Sequence, residues 1–176
     1  FAPVHVDDVV AAAIRCLDDP ATDGRAFQLC GAEVLTLREI VVSGGGSSLL
    51  SLPVAGITMA DLRAVTRDLL ACGAPIQDMN TIRKHLSAIQ GGRLALATRA
   101  GVLALVVSDV TGDDPTHIGS GPCSPDPTTY RDSVDILQRF RVTPPPAIAR
   151  HFEMGAAGEI PETPKPGDQG FNRVDV

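Results

Sequence analysis

No stretch of the sequence is apolar for long enough to span a bilayer, and its first residues lack the basic-then-apolar order of a signal peptide. The expected address is the cytoplasm. Cys16, Cys30, Cys72 and Cys123 are widely scattered without a Cys-x-x-Cys pair, which argues against a disulfide framework or zinc site and favours buried thiols. His5, His85, His117 and His151 are equally dispersed and offer no metal-ligand cluster. Neither G-x-x-x-x-G-K-[ST] nor G-x-G-x-x-G occurs. Lysine occurs only as Lys84 and Lys165, in a chain that otherwise uses arginine. A formal net charge of −6 and a pI near 5.1 argue against nucleic acid as a general partner.

What the chain does have is globular composition: 176 residues, 44% hydrophobic and 20% charged, enough for one sizeable core. One domain, or an incomplete larger one, is expected. Against the acidic balance, the segment 61–100 holds Arg63, Arg67, Arg83, Lys84, Arg93 and Arg99 but only Asp61, Asp68 and Asp78. The adjacent Arg83 and Lys84, with Gly91-Gly92 close by, favour an anion site there over a merely solvated helix face.

The stretch VVSGGGSSLLSLP, residues 41–53, leaves core-building chemistry abruptly. Glycines after a strand permit positive φ and can aim several backbone N–H groups at one anion. The same run also reads as a flexible linker or tight turn, and its spacing alone does not choose.

Along the chain, Asp7 or Asp8 caps a predicted helix carrying Val10, Ile14 and Leu17, and RAFQLC at 25–30 predicts a short strand. In TLREIVVSGGG two signals collide: Thr36 and Glu39 have capping-box spacing, while Ile40-Val41-Val42 favour a strand. Thr58 N-caps a helix with Leu62, Val65 and Leu69 on one face and Gly73 as its terminator. MNTIRKHLSAIQ predicts a shorter helix stopped by Gly91-Gly92, and RLALATRA predicts another. VLALVVSD is an aliphatic run of strand length, suited to a parallel strand buried on both faces. Thr129 with Asp132, and Pro144 to Pro146, open two further helices, and the Gly/Pro-rich tail from Gly155 looks extended. The fold class expected is α/β, a partial Rossmann-like parallel sheet flanked by helices in an incomplete domain.

In an open parallel sheet, ligands bind beyond the carboxyl ends of the strands. Val42 runs into Ser43-Gly44-Gly45-Gly46-Ser47 and Val107 into Ser108-Asp109, so both loops are expected at one edge. Asp109, Asp113 and Asp114 offer hard oxygen ligands suited to Mg²⁺, although Asp113-Asp114-Pro115 also reads as a turn.

Four stretches, SGGGSSLLSLP, MNTIRKHLSAIQGGRLA, SDVTGDDPTHIGSGPCSPDPTTY and ETPKPGD, together resemble the amino-terminal domain of the class II glycerate kinases, the family associated with the MOFRL domain. The resemblance covers about residues 41–176. It implies phosphoryl transfer from ATP, with Mg²⁺, to D-glycerate, and the older label hydroxypyruvate reductase also occurs in the family. It further implies that Ser43, Gly44, Gly45, Gly46 and Ser47, with Ser120 and Gly121, bind substrate or phosphate beside Arg83. Lys84 and Asp109 would be catalytic, and Asp109, Asp113 and Asp114 would hold metal. Gln90 stands where the family commonly has lysine.

Residues 1–41 instead resemble the carboxy-terminal part of an NAD-dependent epimerase or complex I accessory-subunit type of extended short-chain dehydrogenase, chiefly through PVHVDDV. The organisation expected is therefore a fragment of that kind at 1–41 and a glycerate-kinase-like fragment at 42–176, with a complementary domain missing. Small-molecule glycerate and a nucleotide are the expected partners, with no nucleic acid and no membrane. A non-catalytic remnant that binds an anion, and an NAD-dependent oxidoreductase, are the alternatives.

Overall fold

The computed structural model describes residues 38–43, 51–99, 101–108 and 114–176. All lie in the contact unit Leu37–Val176, distinct from the unit Phe1–Thr36. The expected first helix and the strand at 25–30 fall outside the described residues.

The collision around Thr36 resolves in favour of the strand: β1 spans Arg38–Ser43. A helix cap is worth only about 1 kcal/mol, and β1 gains instead a ladder along all of its length, pairing in parallel with β2, Val102–Val107. Arg38 faces Val102 and Ser43 faces Val107 in register. The tail expected to be extended forms a 3₁₀ turn at Gln169–Arg173 and then β3, Val174–Asp175, which adds in parallel to the start of β2. Its two residues carry too little periodicity to signal a strand. The sheet order is β1-β2-β3.

Parallel β1 and β2 require a long crossover, and helices occupy it. α1, Met59–Ala71, starts as expected: the Thr58 hydroxyl accepts from Asp61 N at 3.2 Å and Asp61 Oδ2 accepts from Thr58 N at 2.9 Å. It stops at the C-cap Cys72, followed by Gly73 at φ +73°. α2, Ile76–Leu86, begins earlier than expected and ends at Ser87, well before Gly91-Gly92. Ser87 leaves the helix because it enters an isolated antiparallel bridge with Pro53, while its hydroxyl accepts from the amides of Ile89 and Gln90. α3 is a single turn, Arg93–Leu96. Beyond β2 come a 3₁₀ turn at Ile118–Ser120, then α4, Tyr130–Arg139, capped by the reciprocal Thr129–Asp132 box, and α5, Pro146–Ala156, with proline at its first position.

The helices make their own core. Val65 and Leu69 of α1, Met79, Ile82 and Leu86 of α2, Tyr130, Ile136 and Leu137 of α4, and Ile148 and Phe152 of α5 form one buried cluster. Gly155 lets α5 close onto α4, since a Cβ there would lie 2.2 Å from Tyr130 Cγ. A smaller cluster, Ala95, Val102, Ala104 and Cys123, lies against the sheet. The expectation that β2 is buried on both faces is corrected. Val102 and Ala104 are closed to solvent, but Leu105 and Val107 on the other face are 39% and 60% exposed. The described helices pack on one another in the larger cluster. No helix among the described residues is long and apolar enough to cross a membrane.

Candidate functional site

α2 is the hub of the helical layer, with Met79 to Ile82 and Lys84 to Leu86 all buried. Because successive helical residues turn by about 100°, Arg83, Lys84 and His85 leave its last turn in three directions. The cations of Arg83 and Lys84 also stand at the helix end that carries partial negative charge. The open carbonyls there are capped in trans: Arg93 Nη1 donates to Lys84 O at 2.7 Å and Ser87 O at 2.9 Å, His151 Nε2 donates to His85 O at 3.0 Å, and Val54 N donates to Leu86 O at 3.0 Å.

Lys84 points inward. It is 1% exposed, and its Nζ donates to Asp126 Oδ1 at 2.9 Å. The same oxygen accepts from Thr128 N at 3.0 Å and Thr128 Oγ1 at 2.6 Å. Burial works to raise the Asp126 pKa, but the ammonium and the Thr128 donors outweigh it and hold the carboxyl below its usual range. Asp126 Oδ2 is buried without a hydrogen bond, 3.9 Å from His85 Nε2. His85 Nδ1 donates to Thr81 O at 2.9 Å, so Nε2 is the nitrogen that faces Glu162 Oε2 at 3.3 Å. Glu162 is anchored by Tyr130 N on its Oε1 at 2.9 Å and by Lys165 Nζ on its Oε2 at 3.2 Å. Lys165 also donates to Thr128 O and to Thr163 Oγ1, closing a network of two acids, two lysines and a histidine.

Arg83 points the other way, into a cavity of about 410 Å³ between α1 and α2 that Arg63 and Arg67 also line. Partial burial lowers its pKa, which means that the cation is short of water there. Arg67 pairs with Asp68 at 3.0 Å. Neither Arg63 nor Arg83 has an ion-pair partner among the described residues.

The other sequence-derived candidates are placed as follows. Ser43 ends β1 opposite Val107, so the chain leaves both strands at one edge of the sheet. Gly44, Gly45, Gly46, Ser47, Asp109 and Asp113 lie outside the described residues. Asp114 Oδ1 accepts from Thr116 N at 2.9 Å, and its Oδ2 is 3.9 Å from His117 Nε2. That is the turn geometry which the Asp-Pro pair allowed. No group of three His, Cys, Asp or Glu able to hold a metal occurs among the described residues. Ser120 and Gly121 are buried, and their amides donate to His117 O and Ile118 O. The Ser120 hydroxyl donates to Asn80 Oδ1 at 3.1 Å. Lys84 and Arg83, adjacent in sequence, are therefore separated by the structure, one into the buried network and one into the groove. The sequence reading missed Asp126, His85, Glu162 and Arg63. The signal for the first was a lone aspartate held between Pro125 and Pro127, a poor setting for a solvated charge.

A parallel α/β sheet with helices in its crossover, and chain exits gathered at its carboxyl edge, is a ligand-binding class of fold. The chain belongs to the family described as "Domain of unknown function (DUF4147)", which matches residues 27–153. It is 48% identical over 156 residues to a protein of Agrobacterium vitis called "Putative hydroxypyruvate reductase", covering 88% of this chain and 38% of that protein. It is 43% identical over 128 residues to the glycerate 2-kinase of Pyrococcus horikoshii, covering 72% of this chain and 29% of the kinase. Its fold matches the crystal structure of the Thermotoga maritima glycerate kinase with a TM-score of 0.68 and 33% identity, over 100% of this chain and 38% of that one. The chain thus spans well under half the length of the curated relatives it matches.

Proposed function

We propose that the chain is a glycerate-kinase-like phosphoryl-transfer domain acting in the cytoplasm, with ATP as donor and D-glycerate as acceptor. The observation that carries this reading is the register of Ser43 with Val107. It brings the exits toward the glycine-serine run and toward Ser108 to one edge of a parallel sheet, where such folds bind ligands. The similarity to glycerate 2-kinases supports the substrate assignment. Phosphoryl transfer asks of a protein mainly positioning and charge neutralisation. In this reading backbone amides of the glycine run hold an anion, and Arg83 adds a fixed charge that no carboxylate of the described residues has neutralised. Asp109, Asp113 and Asp114 are the metal ligands of the reading, but Asp114 alone does not make a metal site, so no step is assigned to Mg²⁺. Lys84 would have to exchange Asp126 for a phosphate in order to act directly.

ATP supplies the phosphoryl group. The test is a coupled assay of ATP consumption with D-glycerate, with the product identified by ³¹P NMR. Weak turnover to a glycerate phosphate is expected. The absence of both turnover and binding of either compound would overturn the reading. Binding heat without turnover would favour the second reading, a non-catalytic anion binder. The name of the Agrobacterium relatives motivates a third, an NAD-dependent oxidoreductase, to be retired if NADH fluorescence does not change on mixing. A segment of dehydrogenase ancestry at 1–41 also remains part of the proposal. The family match begins at residue 27, so such a segment would be shorter than 1–41.

A further inference from the structure

The groove between α1 and α2 has an unusual composition. Leu52, Met59 and Leu70 supply its apolar surface, with Leu52 and Leu70 53% and 61% exposed. Among the described residues its charged lining is three arginines and no carboxylate. Water against leucine is costly, and so is a half-buried guanidinium without a counter-ion. One ligand relieves both only if it carries negative charge on an apolar body. Inorganic phosphate satisfies the arginines and leaves the leucines wet. Glycerate has no apolar body, and its hydroxyls would lose water against side chains that offer them nothing. A nucleoside polyphosphate has both parts: the flat faces of a base for Leu52, Met59 and Leu70, and phosphate oxygens for the planar donors of Arg63 and Arg83. A cavity of about 410 Å³ is of the size that small-molecule ligands occupy.

We propose that this arginine-rimmed groove seats a nucleoside di- or triphosphate, with its base on Leu52, Met59 and Leu70 and its phosphates on Arg63 and Arg83. The choice of a nucleotide over another anionic amphiphile rests on the phosphoryl-transfer reading, which requires a donor. The placement rests on the groove.

The test is calorimetric titration of the protein with ADP, and in separate arms with tripolyphosphate and with laurate. ADP is expected to bind at least tenfold more tightly than tripolyphosphate, since only ADP uses the apolar wall. Arg83→Ala and Leu70→Asp are each expected to weaken ADP by roughly tenfold or more, the size of one charge-assisted hydrogen bond or one lost apolar contact surface. Arg83→Lys should retain part of the affinity. Leu70 is exposed, so its variant tests the groove without threatening the fold. ADP binding that neither Arg83→Ala nor Leu70→Asp changes would overturn the placement and leave the kinase reading intact. No ADP binding at millimolar concentration, or Arg83-dependent laurate binding tighter than that of ADP, would overturn the choice of ligand. Arg83-dependent ADP binding without transfer to D-glycerate would sustain the groove while the kinase reading fails.

Discussion

Lys84 Nζ lies 2.9 Å from Asp126 Oδ1, 42 positions away in sequence, and both side chains are closed to solvent. The pair joins the end of α2 to the loop that leads into α4. Removing one partner leaves an uncompensated buried charge, so Lys84→Met or Asp126→Asn should each cost about 3–5 kcal/mol in urea unfolding. A cost below about 1 kcal/mol for both would show that the pair is open to water in solution.

The pH dependence of stability follows from the same network. Burial pushes the His85 pKa below its ordinary value of 6.5, against the opposing pull of Thr81 O, Asp126 and Glu162. The unfolded chain then takes up the proton first, so this contribution is full above pH 6.5 and declines as the pH falls below it. Asp126 and Glu162 are held below their ordinary 3.8 and 4.5, and their contributions are likewise present above those values and lost on acidification. Unfolding midpoints should change little from pH 8 to pH 6.5 and fall from pH 6.5 to pH 4, and His85→Gln should reduce the first part of that fall. A rise in stability between pH 7 and pH 5.5 would mean that the carboxylates overcome burial and keep His85 charged.

Gly155→Ala places a methyl group where Tyr130 Cγ is 2.2 Å away, in a helix pair whose other contacts are fixed. Either the ring or α5 must shift, at a cost of roughly 1–3 kcal/mol. Thermal melting should report this, and an unchanged midpoint would show that α4 and α5 are less closely packed than described.

Thr129→Ala removes the hydroxyl that accepts from Asp132 N at 3.2 Å at the start of α4. A loss of about 1 kcal/mol is expected from chemical denaturation. Thr58→Ala should cost a similar amount at α1, and equal stability of both variants with the parent would mean that the two caps fray in solution.

The expectation of buried thiols holds for Cys123 and is corrected for Cys72, which is exposed at the C-cap of α1. Desolvation pushes the Cys123 thiol up to about 11. Alkylation with iodoacetamide at pH 8, mapped by peptide mass, should modify Cys72 in the folded protein and reach Cys123 only after unfolding. Equal labelling of both in the native state would contradict the packing of Cys123 beside the sheet.

Features set within a few residues were legible in the chain. The boxes Thr58–Asp61 and Thr129–Asp132, the stop at Gly73, the proline start of α5 and the aliphatic run of β2 each contain donor, acceptor or steric block inside one helical turn or one strand. The basic character around Arg83 and the carboxyl-edge placement of Ser43 were also legible, because both follow from composition and from the rule that parallel strands share their ends. Tertiary structure alone decided that Arg38–Ser43 is a strand, since its partner β2 lies beyond the whole helical crossover. It also chose the counter-ion of Lys84 from the chain's many carboxylates, and it set Glu162 against His85 from 77 positions away. An ion pair is specified by distance and burial, and neither quantity is a property of a residue's neighbours in sequence. That is why Arg83 and Lys84, indistinguishable as adjacent cations in the sequence, became one residue of an open groove and one of a closed interior.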